Sequence, residues 1–162
     1  MTVSVEIAVE AAGWNNIPAA EAAVRTAIGA ALAGAAAGAY EVGVVLTDDE
    51  RIRALNRIWR GKDGATNVLS FPAPAGPREG PRFLGDVVFA LETIRREADG
   101  EQKTFEDHLT HLAVHGVLHL LGFDHERDEE ADAMEDRERT ILAGLGIADP
   151  YEPAKLKRTE PA

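Results

Sequence analysis

The chain contains no cysteine. Disulfides are therefore excluded, and any metal must be held by nitrogen and oxygen ligands, a composition that suits a reducing compartment. It also lacks an uninterrupted apolar run of about 18 residues, so no membrane-spanning helix is expected. The first residues carry no basic n-region, so no signal peptide is expected and a soluble, cytoplasmic location is the default. Positive charge is scarce: 17 Lys and Arg stand against 28 Asp and Glu, a formal net charge of −11. That balance excludes a general nucleic-acid coat protein, although an enzyme meeting nucleic acid at one local basic site stays open.

What is there is unevenly placed. Residues 124–138 carry nine acids against two arginines, whereas residues 51–62 carry four arginines and one lysine with no acid. At 162 residues, 45% hydrophobic and 28% charged, the chain is one globular domain's worth. Nothing suggests an internal repeat or a domain boundary.

All five histidines lie between positions 108 and 125. His115 and His119 sit four apart in an apolar, proline-free run, which reads as helix and puts both imidazoles on one face. His111 lies one further turn back. From His111 to His119 a helix rises about 12 Å while a Zn–N bond is about 2.1 Å, so these three cannot share one ion. Gly122 follows the last apolar turn as an expected left-handed cap that brings His125 back toward the pair. His115, His119 and His125 are thus the expected metal ligands, with the spacing of the long metzincin zinc motif. Gly116 stands where a zinc peptidase carries its glutamate base, so the usual peptidase base is missing. His108 reads as a solvated residue near the helix start, and His111 as either a polar neighbour of the site or a satisfied buried side chain.

Around this stretch the pattern predicts an α+β domain over residues 1–150, a small mixed four-stranded sheet packed with about five helices. Strands are expected at 3–9, 41–46, 67–72 and 83–91. Helices are expected in the Ala-rich stretch 19–38, then from Thr47 as N-cap with Glu50 as its capping-box partner to Gly61, at 92–99, at 105–121 and at 128–145. Residues 72–82, rich in proline, read as a loop, and residues 151–162 as a flexible tail. Trp59, at helical spacing from Leu55, reads as core more readily than as a base-stacking ring. Arg57, Arg60 and Lys62 either solvate a helix face and pair with Asp48, Asp49 and Glu50, or offer donors to phosphate oxygens.

The segments from Leu55 through Arg60, Thr66 and Asn67 to Pro72, from Leu84 to Asp86, and from His115 to His125 resemble the YbeY family, bacterial endoribonucleases of rRNA maturation and ribosome quality control. The resemblance spans essentially the whole chain, and most clearly residues 40–150. It implies that His115, His119 and His125 hold one zinc ion, and that Arg60 is a required arginine facing the metal. It implies a zincin-like metal helix against a small mixed sheet, single-stranded RNA as substrate, and the ribosome or its small subunit as partner. Phe123 departs from the family's common tyrosine, and the Ala-rich first helix and the 72–82 loop look particular to this lineage. Arg60 and His115 are then the expected catalytic residues, with Arg57, Lys62, Ser70 and His111 as expected substrate contacts. Asp124 either orients a ligand, acts as a weak base or caps the last helix. Two other readings stay open: a zinc peptidase or amidohydrolase, and a ribosome assembly factor with structural zinc.

Overall fold

Alternation of apolar and polar residues builds the first strand, β1 (Thr2–Val9). A 3₁₀ turn at Ala12–Asn16 follows and buries Trp14, whose indole N–H donates to the Thr47 carbonyl at 2.8 Å. The remaining elements are α1 (Ala20–Leu32), β2 (Ala39–Thr47), α2 (Asp49–Arg60), β3 (Val68–Pro72), β4 (Arg82–Ala90), α3 (Leu91–Gly100), α4 (Phe105–Leu120) and α5 (Asp128–Gly144). This computed structural model describes residues 1–74, 76 and 79–151. The expected flexible tail therefore lies outside the described residues except for Tyr151, as do residues 75, 77 and 78 of the proline-rich loop.

The sheet order is β1-β2-β4-β3. β1 and β2 are parallel, β2 and β4 are parallel, and β3 runs antiparallel to β4 as an edge strand. Among the described residues the sheet is mixed and four-stranded, with five α-helices, so the α+β expectation matches the fold. Alternation sorts the strands' side chains onto two faces. Val42, Val44, Leu46, Val87 and Phe89 meet α1, α3, α4 and α5 in the main core. Leu69, Val88 and Ala90 meet Ile52 of α2 on the other face.

Several local expectations need correction. Asp48, not Thr47, caps α2, accepting from the Arg51 N–H at 2.9 Å, while Thr47 stays buried in β2. The Ala-rich helix ends at Leu32, short of Gly34 and Gly38. Trp59 is exposed, because the buried stripe of α2 stops at Asn56, and the indole stands edge-on to Phe71. His108 is buried, with its Nε2 2.8 Å from Glu97 Oε1.

The N-termini of α2 and α3 satisfy each other. Glu92 accepts from the Asp49 N–H at 2.9 Å, and Asp49 accepts from the Thr93 N–H at 3.1 Å and the Thr93 hydroxyl at 2.7 Å. Partial burial raises the Asp49 pKa, but these bonds and Arg96 outweigh it and hold the carboxyl below its usual range. This exchange of caps fixes α2, and with it Arg60, against the rest of the domain. Replacing Asp49 with Ala should lower stability by roughly 1–2 kcal/mol, the size of a lost helix cap, seen as a lower urea midpoint with an unchanged slope.

Candidate metal centre and cleft

Helix α4 begins at a Thr104 cap that accepts from the Asp107 N–H at 3.1 Å, and runs without a break through the histidines. It stops in a left-handed turn at Gly122 (φ +101°), where the Gly122 N–H donates to His119 O and the Phe123 N–H to Leu118 O, each at 3.0 Å. A side chain in that backbone region is strained, which is why glycine stands there. The reversal carries His125 back over the helix. Its ring stacks on that of His115 with centroids 5.8 Å apart and stands 5.1 Å from that of His119.

One ligand atom from each of His115, His119 and His125 lies within 4.8 Å of the others, a group able to hold a metal ion. The Nε2 atoms of His115 and His119 are 3.2 Å apart. Two nitrogens sharing a tetrahedral zinc at about 2.1 Å would sit about 3.4 Å apart, so the donor set fits such an ion. Burial, then the neighbouring imidazoles of His115 and His125, push the His119 pKa below its usual value. His119 is accordingly neutral at neutral pH, the form a metal requires.

Behind the triad lies a residue that sequence reasoning passed over. Glu138 of α5 is fully buried and accepts hydrogen bonds from His115 Nδ1 and the Tyr151 hydroxyl, with His111 Nε2 at 3.3 Å. Burial alone would raise its pKa, but hydrogen bonds from His111 and His115 outweigh that and bring it down to about 2. The same burial and the carboxylate push the Tyr151 phenol upward, so it stays a donor. With Nδ1 of His115 committed to Glu138, Nε2 is the nitrogen left to face the triad, the arrangement that orients metal-ligating histidines. His111 thus touches Glu138 and lies edge-on to Tyr151, away from the cleft walls.

In front of the triad is a cleft of about 500 Å³, walled by Arg60, Thr66–Ser70, Pro72, His115, His119 and Gly122–Glu126. Arg60 and Ser70 are therefore brought to the triad, while Arg57 and Lys62 stand exposed beside the cleft and are not among its walls. Ser70 donates its hydroxyl to the Gly116 carbonyl at 2.9 Å, tying β3 to α4. Asp124 accepts from the His125 N–H at 2.7 Å, and the N-cap of α5 is Arg127, so Asp124 is not that helix's cap. At Gly116 an added Cβ would meet Val87 Cγ1 at 2.7 Å and Ser70 Oγ at 3.2 Å. Helix and sheet are pressed together at the position where a peptidase carries its glutamate.

Two outcomes follow for Glu138. Glu138→Gln should weaken metal binding roughly 10- to 100-fold, the usual cost of losing such a partner, measured by competition with a chromophoric chelator. Without added metal, the folded pKa of about 2 lies below the ordinary 4.5. The stabilisation from ionised Glu138 is therefore complete above pH 4.5 and drains away as pH falls toward 2. Acid titration of stability should be flatter in Glu138→Gln than in wild type.

Comparison with known proteins places the chain in a family. The family model described as endoribonuclease YbeY matches residues 9–146. A protein of Rhodopseudomonas palustris (strain HaA2) named endoribonuclease YbeY is 53% identical over 156 residues, covering 90% of this chain and 80% of that one. A Bradyrhizobium protein (strain BTAi1) of the same name is 54% identical over 153 residues, covering 90% of each chain. The solution structure of TM1509 from Thermotoga maritima shares the fold, with a TM-score of 0.57 at 23% identity over 98% of this chain and 96% of that one. The chain belongs to the endoribonuclease YbeY family.

Proposed function

We propose that this protein is a zinc-dependent endoribonuclease that cuts single-stranded RNA in rRNA maturation and ribosome quality control. The observation that carries the reading is the shared cleft: Arg60 and the histidine triad are walls of the same cavity, though 55 residues separate Arg60 from His115. A guanidinium opposite a metal-competent triad is the pairing that phosphoryl chemistry needs. The names of the relatives supply the substrate class, and the ribosome, or its small subunit, would present that RNA in the cytoplasm.

Each residue then has a task. His115, His119 and His125 hold the ion, which when bound supplies a Lewis acid at the floor of the cleft. Arg60 takes two non-bridging oxygens of the scissile phosphate through its planar fork and stabilises the charge that develops there. Glu138 keeps His115 in the tautomer that presents Nε2. Asp124, a wall carboxylate next to the ligand His125, accepts the proton of the attacking hydroxyl. If that hydroxyl is the substrate's own 2′-OH, O2′ bonds to phosphorus as the P–O5′ bond breaks, the leaving 5′-oxygen takes a proton from water, and a 2′,3′-cyclic phosphate results. Attack by water instead leaves a linear phosphate and does not require a ribose.

The competing readings are weaker on physical grounds. A peptidase glutamate at position 116 would have to enter the contact between α4, Val87 and Ser70. A closed structural zinc site takes four protein ligands, whereas three gather here among the described residues.

The test is cleavage of a structured rRNA fragment by wild type, His119→Ala and Arg60→Ala, purified side by side. Arg60→Ala should keep its metal and lose roughly 10²- to 10³-fold in rate, the loss typical of one removed electrostatic donor. His119→Ala and chelator-treated wild type should be inactive, with zinc restoring the latter. Equal cutting by wild type and His119→Ala would falsify the reading.

A further inference from the structure

The last turn of α2 presents a face that the core does not use. Ile58 and Trp59 are 67% and 68% exposed, an unusual position for an indole. Trp59 stands edge-on to Phe71, with centroids 6.2 Å apart and planes at 71°. Phe71 therefore braces the ring, while the indole's large surface stays open to solvent. Trp59 is one residue from Arg60, and Phe71 lies between Ser70 and Pro72; all three of these neighbours wall the cleft. Neither aromatic is itself a wall of that cavity: alternation along β3 turns Phe71 to the α2 face, and the indole stands beside the cleft through its chain neighbour Arg60.

The charge around it is selective. Arg53 is occupied by Asp63 at 2.8 Å, and the Arg51 guanidinium donates to the Glu10 carbonyl. The carboxylates of Asp48 and Asp49 are taken by caps and by Arg96. Among the described residues, Arg57, Arg60 and Lys62 make no ion pair, and they surround Trp59 on the chain. In a protein of net charge −11 this is where a polyanion is drawn rather than repelled.

We propose that Trp59 is a base-stacking platform beside the cleft. An unpaired nucleobase next to the phosphate at Arg60 lies on the indole, with Phe71 as buttress and Arg57 and Lys62 near the flanking phosphates. This rests on the RNA reading of the cleft and adds the device that selects single strands: a base already paired and stacked in a duplex has no free face to offer. Stacking on one ring tolerates any base, so the platform confers strand selectivity without sequence selectivity.

The protein has two tryptophans, and Trp14 is only 3% exposed, so indole quenching by an added ligand reports on Trp59. The full chain is titrated with a 2′-O-methyl oligoadenylate of about eight nucleotides, and with an abasic strand of equal length. The oligoadenylate should quench the wild type to saturation, the abasic strand should not, and Trp59→Phe should show no quench. By fluorescence polarisation, Trp59→Ala should bind the oligoadenylate roughly 5- to 100-fold more weakly, with Trp59→Phe within severalfold of wild type. Because the side chain is exposed, an unchanged circular dichroism spectrum is expected for both variants. If wild type cuts RNA while Trp59→Ala binds the strand as tightly as wild type, the platform is overturned, the endoribonuclease reading survives, and the face is assigned to a polypeptide partner. If wild type neither binds nor cuts RNA, both fail.

Discussion

The carboxylate of Glu138 is the charge on which the arrangement of the C-terminal half turns. An ionised group with no exposure is tolerable only where donors surround it, and here they come from two turns of α4 and from Tyr151 beyond the end of α5. Those bonds set the position of α5 along α4 and decide which nitrogen of His115 is left over. A centre that looks like three histidines on one stretch of chain is in this sense a product of α5. Its surroundings also pull in opposite directions, since the anion strengthens His115 as a donor while burial, then the crowded imidazoles, keep His119 neutral.

On the opposite side the constraint is steric. Gly116 lets α4 lie against Val87 and Ser70, and the Ser70 hydroxyl closes the contact with a bond to the helix backbone. The edge strand β3 is thereby held as a cleft wall next to the triad. The other wall, Arg60, is reached through a separate chain of supports, from the exchanged caps of Asp49 and Glu92 through α2 to its glycine terminus. Sheet edge, helix end and metal-competent turn converge because each is fixed by a bond to backbone, not by side-chain packing alone.

This explains what could be read from residue order. The triad was legible because its members lie within one helix and its cap, where periodicity and a turn glycine give the geometry directly. Family resemblance brought in Arg60, which no local pattern joins to His115. Glu138 was invisible for a plain reason: it is one of nine acids between residues 124 and 138, and only the packing of α5 turns that one inward. Trp59 and His108 were misjudged in opposite directions by burial tendencies that tertiary context overrode. The α2 cap moved by one residue because Asp48 competes for the role with Thr47 and can reach the Arg51 N–H from outside the strand.

The compactness of the triad in sequence has a consequence for folding linkage. Its three histidines fall within eleven consecutive residues, 115–125, so an unfolded chain keeps much of the same ligand set close together. A cation that binds the unfolded as well as the native state stabilises by the ratio of the two affinities, not by the native affinity alone. Metal loading should therefore raise the melting temperature by less than its tightness suggests. The bond from Glu138 to His115, absent from the unfolded chain, belongs to the native site alone.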